Sequence, residues 1–138
     1  MTESTKMTFH HRRIRQMADV TDLVGMLFPG NRNQQYAAAQ ILLHLRQSAV
    51  PERTLAGLER QYGISRRTLQ RTRAKLGRLG LIEHASGLAC RHGGQEGWTL
   101  SSRMSTALRH LADKLDQWRR EDRPGQWDKE EMLAGLLR

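Results

Sequence analysis

The chain has little of several things, and each shortage excludes something. Its 138 residues include one cysteine, Cys90, so no internal disulfide framework can staple the fold. Nowhere do apolar residues run for the roughly 18 positions that a bilayer requires. The opening stretch, MTESTKMTFHHRRIRQ, lacks the apolar centre of a secretion signal. Together these two absences lead to the expectation of a cytoplasmic protein. Only three prolines occur, and hydrophobic residues make up 38%, which disfavours wholesale disorder. No internal repeat is present. No glycine-rich phosphate loop, paired-carboxylate spacing or Ser/His/Asp set stands out, so neither catalysis nor a cofactor is expected. His84, Cys90 and His92 carry ligating atoms, but there is no second cysteine and no HxxxH pair, so no metal is expected either. Cys90, beside Arg91, reads as an ordinary thiol rather than a redox sensor.

Acidic residues are the remaining shortage. Lysine and arginine number 23 against 14 aspartates and glutamates, a net charge of +9. Such an excess favours a polyanionic partner and is silent about fold. The length suits one domain with helical extensions.

What is present is concentrated between Gly63 and Ile82, GISRRTLQRTRAKLGRLGLI. Ser65 is a good N-cap for a following helix. Leu69, Thr72 or Arg73, Leu76 and Leu79 recur at spacings of three and four, so they share a face. The opposite face carries Arg66, Arg67, Gln70, Arg71, Lys75 and Arg78. Gly80 stops the helix.

The flanks supply context. Residues 1–9 read as frayed. One helix is expected from about Arg12 to Phe28, ended by Pro29 and Gly30. A second, capped by Asn31 or Asn33, carries the stripe Ala38, Ile41, Leu42, Leu45 and Ala49 and is closed by Val50-Pro51. A short extended piece follows around Val50 to Arg53. Thr54 is expected to cap a compact helix, Leu55 to Tyr62, that ends at Gly63. Leu81 to Ala85 and Gly97 to Leu100 read as two strands of a hairpin with a long tip. From Ser101 to about Asp122 another helix places Met104, Leu108, Leu111, Leu115 and Trp118 at heptad spacing. A last helix, Trp127 to Arg138, is too apolar on one side to stand alone in water. The fold class is therefore mainly α with a small β-hairpin. The expected divisions are an N-terminal basic helix over 1–30, a central domain over 31–100 and C-terminal helices over 101–138.

The stretch from Leu55 to Leu100 resembles the winged helix-turn-helix domain of bacterial transcription regulators, in the broad MarR, ArsR, PadR and GntR circle. The resemblance is carried by Leu58, Gly63-Ile64-Ser65, Thr68-Leu69, Arg71, Leu76, Leu79-Gly80-Leu81-Ile82 and Trp98-Thr99-Leu100. One position departs from the pattern. Four residues before the turn glycine such domains usually have a small residue, and here stands Glu59. Either the two helices pack slightly differently, or Glu59 turns aside to pair with an arginine.

The resemblance implies a winged helix-turn-helix with N- and C-terminal helical extensions, binding double-stranded DNA. The second helix would enter the major groove, with Arg66, Arg67, Thr68, Gln70 and Arg71 as base readers. Thr54, Ser65, Lys75 and Arg78 would touch phosphate, which positions without specifying. Arg91 and His92, at the wing tip, would reach the minor groove or its flanks. Arg12, Arg13 and Arg15 are a weaker candidate grip on the backbone. Met104, Leu108, Leu111, Leu115 and Trp118, with the helix from Ile14 to Phe28, are expected to form a homodimer interface. The expected function is a sequence-specific, dimeric transcription regulator. Two alternatives use the same fold: a replication, partition or mobile-element accessory protein, and a winged helix serving protein–protein contact.

Overall fold

The computed structural model describes residues 5–86 and 94–138. The chain is mainly helical with one two-stranded antiparallel hairpin. The elements run α1 (His11–Gln16), α2 (Val20–Leu27), α3 (Arg32–Gln47), α4 (Gly57–Tyr62), α5 (Arg66–Leu79), β1 (Ile82–Ala85), β2 (Gly97–Leu100), α6 (Arg103–Arg120) and α7 (Gln126–Gly135).

The single helix expected over 12–28 is in fact two. Asp19 is the reason. Its carboxylate accepts from the Thr21 hydroxyl and from the backbone N–H groups of Thr21 and Asp22 at 2.9 and 3.3 Å. A side chain that takes these N–H groups starts a new helix and ends the old one. Asn31, rather than Asn33, caps α3, accepting from Gln34 N–H at 3.0 Å. Thr54 does not cap a helix. Its Oγ1 accepts from Ala56 N–H at 3.1 Å in the turn before α4, which begins only at Gly57.

A compact unit spans Met1–Met104. α3 packs against α5 and α2 against α3. Leu27, Phe28, Ile41, Leu76 and Ile82 are fully buried there. Each large apolar side chain removed from water contributes roughly 1.5–3 kcal/mol. Because Val24, Leu27 and Phe28 sit in this core, the N-terminal helices belong to the same unit as residues 31–100.

Between α4 and α5 the chain turns in three residues. Gly63 sits in the left-handed region with φ +65°, a conformation that costs a side-chain-bearing residue energy. It lets the Gly63 and Ile64 N–H groups return to the Glu59 carbonyl. Ile64 then drops into the core, and Ser65 Oγ accepts from Thr68 N–H at 3.1 Å to start α5.

The hairpin pairs Ile82 with Leu100 and Ala85 with Gly97. Leu81 is not in the strand, because its N–H closes the end of α5 on the Leu76 carbonyl at 3.0 Å. The extended piece after α3 joins the other edge of β2. Glu52 N–H donates to the Trp98 carbonyl at 2.9 Å and Trp98 N–H returns to the Glu52 carbonyl at 2.7 Å. The Glu52 carboxylate is itself tied to the end of α3, accepting from Ser48 Oγ at 2.8 Å and lying 3.6 Å from His44 Nε2. Arg91 and His92, expected at the hairpin tip, lie outside the described residues, as does Cys90.

Met104 is also part of this core, not of an exposed stripe. It is 8% exposed, and its N–H donates to the Gly80 carbonyl at 2.9 Å. Arg103 Nη2 lies 3.2 Å from Glu83 Oε2 on β1. The start of α6 is thus fastened to the base of the hairpin.

The second unit is Ser105–Arg138. It contains the rest of α6 and all of α7, linked by a hydrogen bond from Trp118 Nε1 to Glu130 Oε2 at 3.1 Å. None of its residues is buried. Among the described residues, no helix is long and apolar enough to cross a membrane.

Candidate nucleic-acid interface

α5 has two chemically opposite faces. Leu69, Thr72 and Leu76 are buried against the core. Of the two residues that spacing allowed inward, Thr72 takes the place. Arg73 instead lies with its guanidinium 4.8 Å from the centre of the Trp98 ring, and His84 meets the same indole edge-on at 5.0 Å. Such a cation–ring contact holds the helix to the hairpin.

The outward face carries Arg66, Arg67, Gln70 and Arg71, all exposed. Their side chains make no hydrogen bond or ion pair among the described residues. The helix holds six cations and no acid, so its own surface offers them no counter-charge. Thr68 is half-buried, and its hydroxyl is joined to Ser65 Oγ at 2.9 Å. Ser65 therefore acts on its own helix as cap. Thr54 is exposed one turn before α4. Glu59 is half-buried and pairs with no arginine among the described residues; its carbonyl, not its carboxylate, makes the local bonds.

Lys75 and Arg78 are placed differently from the outward arginines. The Lys75 ammonium donates to the Lys6 carbonyl and lies 4.6 Å from the Phe28 ring centre. Burial, and then the nearby Arg78 charge, push its pKa below the ordinary lysine value. Arg78 is exposed, and its Nε donates to Thr5 Oγ1 at 3.4 Å.

Both contacts involve residues 5–9, part of the stretch that the sequence alone presents as frayed. Instead this arm is held. Thr8 N–H donates to the Met26 carbonyl at 2.9 Å, and Met7 packs against the core. Residues 5–9 carry two apolar side chains, Met7 and Phe9; Met7 packs against the core while Phe9 is exposed, and one anchor leaves no periodicity to detect.

On the second unit, Leu108, Leu111, Leu115 and Trp118 are 41–61% exposed. On α7, Trp127, Met132 and Leu133 are exposed as well, as are Leu136 and Leu137 just beyond it. Comparison with protein families, with curated proteins and with solved structures found no match to this chain.

Proposed function

We propose that the chain is a sequence-specific, double-stranded DNA-binding protein of winged-helix type, acting as a homodimeric transcription regulator, with α5 as the element that enters the major groove. One observation carries this reading. Arg66, Arg67, Gln70 and Arg71 stand outward and, among the described residues, unpaired on a helix whose other face is core. Side chains in that state keep their donors for a ligand, and a rigid backing fixes where they point. Arginine bridges guanine O6 and N7, and glutamine bridges adenine N6 and N7. The Ser65 cap leaves the N-terminal turn of α5 exposed, which is the part that meets base edges in this class of docking. The apolar stripe of α6 supports a two-fold partner, since one such helix reads only a short half-site.

The test is selection of bound sequences from random duplex DNA, followed by salt titration on the winner. A short, two-fold repeated site should emerge. Affinity should fall by about 0.9 logarithmic units per tenfold rise in salt for each phosphate contact. Arg67→Ala and Gln70→Ala should each reduce discrimination between sequences by about 1–3 kcal/mol while leaving the fold intact. Equal affinity for every duplex, with or without Arg67, would defeat the sequence-specific reading.

A further inference from the structure

The arm over residues 5–9 leads into α1 and lies against the C-terminal half of the basic face of α5. Three points set its course: the Lys75 ammonium on the Lys6 carbonyl, Arg78 Nε on the Thr5 hydroxyl, and Thr8 N–H on the Met26 carbonyl. Arg67, Arg71, Lys75 and Arg78 follow one another at spacings of 4, 4 and 3. One stripe of α5 therefore runs from the outward arginines directly to the arm.

The arm and α1 read TKMTFHHRRIRQ, with cations at Lys6, Arg12, Arg13 and Arg15 and no acid. Lys6, Arg12 and Arg15 are exposed, the latter two at i, i+3 on one side of α1. Lys6 is thus brought beside Lys75, and neither element carries an acid. An arm that masked α5 would be expected to carry aspartate or glutamate to neutralise it. Gathering cations on both elements costs repulsion in the free protein, and a row of phosphates relieves it.

We propose that the arm and α1 form a second DNA-contacting element, in which Lys6, Arg12 and Arg15 take backbone phosphates flanking the site that α5 enters, while Lys75 and Arg78 hold the arm in place. The proposal rests on the reading of α5 as a DNA-binding helix. It reassigns Lys75 and Arg78 from phosphate contacts to positioning residues.

The test compares the full chain with the triple variant K6A/R12A/R15A, all at exposed positions, on a short random-sequence duplex at stepped salt. The triple variant should bind more weakly. Its plot of log affinity against log salt should be shallower by about 2–3 units, one for each phosphate that the variant no longer neutralises. Its preference for the selected sequence should be unchanged. Lys75→Met should weaken binding in the parent chain but add little in the triple background, because it acts through the arm. An unchanged slope, tighter binding by the triple variant, or a fully additive Lys75→Met effect would overturn the proposal while leaving α5 as a DNA-binding helix. Failure of the parent chain to bind any duplex would overturn both.

Discussion

Gly97 meets Glu52 so closely that a Cβ on Gly97 would lie 2.5 Å from the Glu52 carbonyl oxygen and 2.6 Å from its carbon. The backbone at Gly97 also has φ +148°, which side-chain-bearing residues rarely adopt. This contact is where the segment after α3 joins the hairpin. It fixes the base of the structure that follows α5.

Gly97→Ala should therefore destabilise the protein by about 1–3 kcal/mol, from strain and overpacking together. Gly77→Ala is the control. That position is inside α5, and an added Cβ meets nothing within 4 Å, so stability should rise by roughly 0.5–1 kcal/mol. Urea unfolding of the two variants gives the comparison. Equal midpoints would contradict the role assigned to the Gly97 contact.

Thr72 has 0% exposure and its Oγ1 has no hydrogen-bond partner among the described residues. A buried hydroxyl left unpaired costs about 1–3 kcal/mol. Thr72→Val, of nearly the same shape, should raise stability by about 1 kcal/mol, and Thr72→Ser should lower it by removing a packed methyl. Thermal melts with the order Val, Thr, Ser from most to least stable would bear this out.

Asp19 sets an acid limit on the junction between α1 and α2. The Thr21 hydroxyl first, and then the Asp22 N–H, hold its carboxyl below the ordinary value of 3.8. A depressed carboxyl contributes stability that is fully present above the unfolded value. That stability is lost as the pH falls through the lower folded value. Asp19→Asn keeps a capping oxygen and removes the titration. Its stability should thus fall less steeply than that of the parent chain between about pH 5 and about pH 2. Denaturation at stepped pH measures the difference, and parallel curves would contradict it.

Leu111 and Leu115 are more than half exposed on α6, one turn apart. If α6 closes against a second copy, placing a charge on that seam forces an unpaired ion into an apolar contact. The double variant L111E/L115E should sediment as a monomer at a concentration where the parent chain is a dimer. Both residues already face solvent in the single chain, so its far-ultraviolet dichroism should persist. A parent chain that is monomeric with and without DNA would remove the dimer from the proposed function.

Much of the architecture was legible in the residues. The helices at 32–47, 57–62 and 66–79 are amphipathic or end at glycine, and local signals of that kind survive folding. The exposed face of α5 could be read for the same reason: Arg66, Arg67, Gln70 and Arg71 fall opposite Leu69 and Leu76 by helical period alone. Periodicity failed where capping or long-range contact overrode it. The helical spacing over 12–28 is real, but Asp19 takes the N–H groups that a continuous helix would need. Met104 fits the heptad of α6, yet its N–H is held by the Gly80 carbonyl and its side chain is in the core.

By itself the sequence determined the net charge, the helical period and the turn chemistry at Gly63, because each is a property of neighbouring residues. Tertiary structure alone decided what Lys75 and Arg78 touch. Their partners, Lys6 and Thr5, lie 69 and 73 positions away, and no local pattern encodes a meeting at that distance. The same holds for Trp98, which Arg73 covers from α5 and Glu52 bonds from the extended piece after α3. Long-range contacts form only when the buried faces of several elements have been matched, and that matching is a property of the whole core.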